Sequence, residues 1–256
     1  MLDIKDLTNK IICDDCMNIL KQLPDKSVDL ILTDPPFGHN NNNGDLISRW
    51  EAALGKGDYV PERDNRPIEN DGVEISDLIQ KCFGEFYRLL DIGCCCCCCC
   101  SGGGPDPQFA RWSLWLNEAF KGGFKQMIVW DKGKMGMGWH YRRSYETVLV
   151  AQKAGAACKW FDETQKIENI IRHIPKIIPA ANQHPCIKPV ELMAHFIELH
   201  TEKADLILDP FCGSGTTCVA AKLLGRNYIG IDISPEYCKI AENRLRDTEE
   251  SLFKVK

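Results

Sequence analysis

Two short runs in this sequence place reactive side chains beside residues that shape the backbone. The first is Thr33-Asp34-Pro35-Pro36-Phe37-Gly38. The second is Asp209-Pro210-Phe211-Cys212-Gly213-Ser214-Gly215-Thr216-Thr217, with Asp232 following 17 residues after Gly215. In the first run, a carboxylate, a rigid acceptor carbonyl and a stacking ring suit the gripping of a planar group that carries an NH₂. Taken alone, the same residues also fit a strand-ending turn, since Asp and Pro are common there.

The second run has the layout of a nucleoside-binding βαβ unit. Its glycines let backbone approach a ligand, and the distant carboxylate accepts hydrogen bonds from ribose hydroxyls. The third glycine of the dinucleotide pattern is absent, with Cys218 in its place, and no Gly-Lys-Ser/Thr follows for a triphosphate. A nucleoside without a pyrophosphate fits, and S-adenosylmethionine is one.

Both runs need strands to carry them. Val28-Asp29-Leu30-Ile31-Leu32 is short, β-branched and bounded by polar residues, which predicts a buried strand. Two prolines cannot continue a sheet ladder, because neither has an N–H to donate. The strand therefore stops at Asp34, at the end where open α/β sheets bind ligands. Ala204 to Leu208 and Asn227 to Ile231 predict the strands that end at Asp209 and Asp232. Further strands are expected at Lys10–Asp14, Cys94–Cys100, Phe124–Trp130 and Glu146–Ala151. Helices are expected at Cys16–Leu23, Ile75–Leu90, Pro107–Phe120, Lys188–His200 and Thr217–Leu224, with a last one from Pro235 to about Arg246. Ile167–Ile178 reads either as a short helix or as a recognition insert. This alternation predicts a doubly wound, mostly parallel sheet with helices on both faces. Residues 38–74, which include Asn40 to Asn43, lack periodicity and read as a mobile insert.

Composition bounds the function. The chain has 256 residues, enough for one large α/β domain or two small ones, and no apolar run reaches membrane-spanning length. Its opening residues do not form a signal peptide, so a cytoplasmic protein is expected. A net charge of −5 argues against a generic polyanion binder but allows a local basic face. Of the 15 cysteines, Cys94 to Cys100 are consecutive. Neighbouring side chains on a strand point to opposite faces, so the run cannot converge on one metal and reads as core. Cys13-x-x-Cys16 lacks a second pair at zinc-finger spacing and reads as structural; no metal is expected.

Together the motifs resemble the β group of DNA amino-methyltransferases, which act on adenine N6 or cytosine N4. Asp34-Pro35-Pro36-Phe37 resembles that family's catalytic motif and Phe211-Cys212-Gly213-Ser214-Gly215 its cofactor motif. His184-Pro185-Cys186-Ile187-Lys188-Pro189 resembles the segment before the cofactor motif, and Asp14-Asp15-Cys16 the acidic turn near the cofactor's adenine. The run from Ile128 to Lys132 and on through Arg142 to Glu146 is also similar. The catalytic motif precedes the cofactor motif, which is the order of the β group.

The resemblance implies one Rossmann-like S-adenosylmethionine-dependent methyltransferase domain over 1–256, with a short target-recognition insert at about 152–183. It implies catalytic roles for Asp34, Pro35, Pro36 and Phe37. It assigns the cofactor to Asp15, Cys16, Lys188, Asp209, Pro210, Phe211, Gly213, Ser214, Gly215, Thr216 and Asp232. Residues 121–143 hold six Lys/Arg and one acid, so Lys132, Lys134, His140, Arg142 and Arg143 are the expected DNA-backbone contacts. Duplex DNA is the expected partner, with a second copy of the chain and a cognate restriction endonuclease left open. Asp at the first motif position favours adenine over cytosine. An RNA or small-molecule amino-methyltransferase, and a non-catalytic nucleic-acid-binding relative, stand as the competing readings.

Overall fold

Among the described residues, short β-branched runs alternating with amphipathic helices build one eight-stranded sheet, in the order β1-β8-β7-β2-β3-β5-β4-β6. The computed structural model describes residues 3–37, 72, 75–100, 108–134, 143–177 and 187–254. In chain order the elements are α1 (Ile4–Leu7), β1 (Lys10–Cys13), α2 (Cys16–Leu20), β2 (Val28–Thr33), α3 (Ile75–Leu89), β3 (Leu90–Cys100), α4 (Gln108–Ala119) and β4 (Phe124–Asp131). There follow β5 (Tyr145–Gln152), β6 (Ile170–Ile171), α5 (Val190–His200), β7 (Leu206–Asp209), α6 (Thr216–Leu223), β8 (Asn227–Asp232) and α7 (Pro235–Lys254). The insert expected at 38–74 lies outside the described residues, apart from Gly72 at its end.

Strands β1, β8, β7, β2 and β3 run parallel, as the doubly wound expectation requires. Strand β5 is antiparallel to both β3 and β4. That reversal has a consequence for the site. The start of β5 and the end of β4 lie at the same sheet edge as the carboxyl ends of β2, β7 and β8.

The core forms on both faces. Helices α2, α3 and α4 cover one face, with Phe83, Phe86, Trp112 and Leu116 fully buried. Helices α5 and α6, with Leu245 of α7, cover the other. The cysteine run divides between them by strand alternation. Cys94, Cys96, Cys98 and Cys100 enter the first core, and Cys95, Cys97 and Cys99 the second. Burial pushes the Cys94 thiol up to about 11 and holds those of Cys96, Cys98 and Cys99 well above the ordinary value. These thiols stay protonated and pack as small hydrophobes.

Three expectations are corrected. Strand β3 begins at Leu90, ahead of the expected start at Cys94, and takes in Asp91-Ile92-Gly93. Gly93 absorbs the irregularity at φ +84°, and the register against β2 shifts between Val28 and Leu30. Of the two readings of Ile167–Ile178, the helix is not formed over the described residues 167–177: Ile170–Ile171 pairs parallel with β4 through Val129 and Trp130. The backbone of Ile174 then accepts the Trp130 indole N–H at 2.7 Å, which anchors this segment as an edge of the sheet. The last helix continues past Arg246 to Lys254.

Candidate active site

Strands β2 and β7 are neighbours and end alike, β2 followed by Asp34-Pro35 and β7 closing on Asp209 before Pro210. In each case the proline removes the next ladder donor, so the carboxylate sits where pairing stops. The two tips are tied together, because the Thr33 hydroxyl donates to Asp209 Oδ1 at 2.8 Å. Burial raises the Asp209 carboxyl to about 7, against the lowering effect of hydrogen bonds from Thr33, Thr217 and the Phe211 amide.

Asp34 is the end of a chain of alternating charge. Its Oδ2 stands 2.5 Å from Lys188 Nζ. The same ammonium lies 3.3 Å from Glu146 Oε2, and Lys132 Nζ lies 3.2 Å from Glu146 Oε1. Burial opposes charge on Asp34, Lys188 and Glu146. Lys188 nevertheless stays well above its ordinary value because two carboxylates surround it. Glu146, although buried, is held down at about 2 by Lys188 and Lys132. Burial raises Asp34, with Lys188 pulling the other way. The second oxygen of Asp34, Oδ1, is buried and has no hydrogen-bond partner among the described residues. An orphaned carboxylate oxygen at a strand tip costs stability unless a donor arrives. Phe37 sits beside it, half-buried, with Lys188 Nζ 5.3 Å from its ring centre.

The glycine loop is shaped by two constraints. Gly215 adopts φ +77°, and a Cβ there would meet the Ala241 Cβ at 2.7 Å. The loop turns tightly against α7 only because both positions are small. Arg244 of α7 then clamps it, donating to the Ser214 carbonyl at 2.6 Å, the Ser214 hydroxyl at 2.9 Å and the Thr216 hydroxyl at 3.1 Å. Asp232 Oδ2 accepts the Gly213 N–H at 2.8 Å, and Oδ1 accepts the Ser234 N–H at 2.9 Å.

The acidic turn comes alongside through sheet register: Cys13 pairs with Asp232, and the Asp14 N–H donates to the Asp232 carbonyl at 3.1 Å. Asp15 caps α2, accepting the Met17 N–H at 2.8 Å. Cys16 points into the core against Cys82, so only its backbone faces the turn. Asp15, Asp232, Asp209 and Asp34 thus follow the tips of four adjacent strands, β1, β8, β7 and β2, along one edge.

The expected DNA contacts divide. Lys134 is exposed, and Arg143 is half-buried in the approach to β5. Lys132 is drawn inward to Glu146, so its charge belongs to the ionic chain rather than to an outer face. His140 and Arg142 lie outside the described residues, as do His184, Pro185 and Cys186. Two residues of this edge, Glu146 and Arg244, are assigned no role from the sequence. Glu146 closes a family-like run and opens a strand, and Arg244 is one more charged position on an amphipathic helix.

Comparison with known proteins agrees with this geometry. The DNA methylase family model N6_N4_Mtase matches residues 28–243. The Type II methyltransferase M2.LlaDCHI of Lactococcus lactis subsp. cremoris is 27% identical over 259 residues, covering 90% of this chain and 87% of that protein. The DNA adenine methyltransferase YhdJ of Escherichia coli (strain K12) is 27% identical over 282 residues, covering 96% and 87%. The solved structure of the M1.HpyAVI-SAM complex superposes with a TM-score of 0.63 at 27% identity, covering 92% of this chain and 98% of that one. With the Asp-Pro-Pro-Phe tip preceding the glycine loop along one sheet edge, the chain belongs to the N6/N4 DNA methylase family, in its β-group order.

Proposed function

We propose that this chain methylates the exocyclic N6 of adenine in duplex DNA, using S-adenosylmethionine. The observation that carries the reading is Asp34 Oδ1: a buried, unpartnered acceptor at the tip of β2, beside an aromatic ring. An amino N–H is the donor that this oxygen lacks.

An exocyclic amino group is a weak nucleophile because its lone pair is delocalised into the ring. Asp34 Oδ1 accepts one N–H and the Pro35 carbonyl the other, which localises the lone pair away from the ring plane. Phe37 stacks on the base, which must first leave the duplex. Lys188 holds the Asp34 side chain at one oxygen and leaves the other for the substrate. The proton released from the amino nitrogen passes to Oδ1, whose proton affinity burial has raised. Much of the rate comes from positioning the two reactants.

The residues at the adjoining tips fit the cofactor. Asp232 and Asp15 offer carboxylate oxygens to a ribose and an adenine, and the Gly213–Thr216 loop offers a clamped backbone. When bound, S-adenosylmethionine supplies an activated methyl group on a sulfonium. Lys134 and Arg143 contact the DNA backbone, and residues 152–183 contribute to target recognition.

Adenine is preferred because Asp opens the catalytic motif, and because YhdJ, a relative over nearly the whole chain, is by name an adenine enzyme. The test is transfer of labelled methyl groups to unmethylated duplex DNA followed by nucleoside analysis. Label in N6-methyladenine is expected. Label in N4-methylcytosine overturns the choice of base and keeps the mechanism. No label in DNA, with label in RNA or with none anywhere, overturns the DNA assignment.

A further inference from the structure

Far from this edge, one cysteine of the poly-Cys strand meets partners that the strand itself does not supply. Cys95 lies opposite Leu30 in the register, four residues before Asp34 and so about 13 Å down the sheet. Its Sγ is 3.4 Å from Cys158 Sγ. Donor atoms of Cys95, Cys158 and His200 all lie within 4.8 Å of one another. They arrive from three elements: β3, the segment after β5, and the last residue of α5.

The cluster is built rather than incidental. Cys95 is 1% exposed and His200 5%. His200 Nδ1 is buried without a hydrogen-bond partner among the described residues. The segment bearing Cys158 is laced to both neighbours: the Lys159 N–H donates to the Gly93 carbonyl at 3.2 Å, and the Phe161 N–H to the Leu199 carbonyl at 3.0 Å. The three residues line a cavity of about 170 Å³, together with Trp160, His195 and Glu168.

We infer that Cys95, Cys158 and His200 form a binding site for a thiophilic divalent metal, zinc above all, with its fourth position opening into the cavity. Two sulfurs and an imidazole are the donors that zinc prefers to magnesium or calcium. A tetrahedral zinc at about 2.3 Å from sulfur and about 2.0 Å from nitrogen needs its donors roughly 3.5–3.8 Å apart. The Cys95–Cys158 separation of 3.4 Å is close to that and far from the ~2.05 Å of a disulfide, and the His200 nitrogen lies within 4.8 Å of both sulfurs. The expectation that the cysteine run cannot converge on one metal still holds. A single member of the run is recruited here, by residues 63 and 105 positions away (158 − 95 and 200 − 95).

Binding would join the C-terminal end of α5 to β3. Helix α5 begins just after Lys188, so the metal would brace the helix whose other end adjoins Asp34. Prior binding therefore stabilises the fold by mass action.

The test is zinc binding by the full chain under reducing conditions, measured by competition with a chromophoric chelator, with cobalt as a spectroscopic probe. Stoichiometric zinc and a thiolate–cobalt charge-transfer band are expected in wild type. Both should be lost in Cys158→Ser, whose exposed position leaves the fold intact, and in His200→Gln. Cys13→Ser, an exposed cysteine elsewhere, should retain both. Metal binding unchanged in Cys158→Ser, or no binding by the reduced wild type, overturns the inference. So does a Cys95–Cys158 disulfide in the purified protein that, once reduced, takes up no zinc.

Discussion

Lys188 Nζ lies 2.5 Å from Asp34 Oδ2 and 3.3 Å from Glu146 Oε2, so one buried ammonium serves two carboxylates delivered by different strands. Removing it leaves like charges facing each other in a poorly solvated site. In Lys188→Met, Asp34 should rise further above its ordinary value, since burial already pushes it upward. The acid limb of the kcat profile then moves to higher pH, and stability falls by about 3–5 kcal/mol. An unmoved acid limb in a folded variant would show that Lys188 does not set the ionisation of Asp34.

Asp34→Ala removes the acceptor at the strand tip without touching the glycine loop. Methyl transfer should fall by at least ~100-fold. Binding of S-adenosylmethionine, followed by calorimetry, should persist. Loss of both together would mean that the tip of β2 holds the fold or the cofactor rather than the target amino group.

Asp209 predicts a pH dependence of stability. Its carboxyl titrates at about 7 in the fold against 3.8 unfolded. Between those values the folded state binds the extra proton, so ionisation of Asp209 erodes stability as pH rises, and the loss is complete above about 7. Asp209→Asn keeps an acceptor for Thr33 and removes the titration. Thermal melts of the two proteins should therefore diverge in the variant's favour between about pH 4 and about pH 8. A constant difference across that range would sink the assignment.

Arg244 holds the glycine loop at three points. Arg244→Ala should weaken S-adenosylmethionine binding by roughly tenfold, about 1.4 kcal/mol, while kcat at saturation changes little. Arg244→Lys should recover only part of the loss, because one ammonium cannot reproduce the planar guanidinium fork. A fall in kcat with binding unchanged would instead assign Arg244 to the chemistry.

What could be read in the sequence was what local rules govern. Prolines after Asp34 and Asp209 stop strands wherever they occur, and Gly215 marks a turn by itself. Strand alternation likewise places the cysteine run in the core without any knowledge of its neighbours. The ionic chain was hidden because it is assembled across the sheet: Lys188 meets Asp34 over 154 positions. Lys132 looked like a DNA contact because charge density alone cannot tell an outward lysine from one turned to a buried glutamate. Arg244 reads as an ordinary helix position until α7 packs against the loop, 30 positions back. Ile170–Ile171 became a strand because the exposed edge of β4 offered hydrogen bonds that an isolated helix of that length could not match.

The pairing of β1 with β8 has a bearing on how the protein is made. Among the described residues, β1 has no other strand beside it, and Cys13 precedes its register partner Asp232 by 219 residues (232 − 13). At about 10 residues per second on the ribosome, the first strand waits roughly 20 s for the last. Until then, the central strand β2 has β3 on one side and nothing on the other, since β7 is also late. The acidic edge cannot exist on a nascent chain, and a message cut short before β8 yields no partial enzyme.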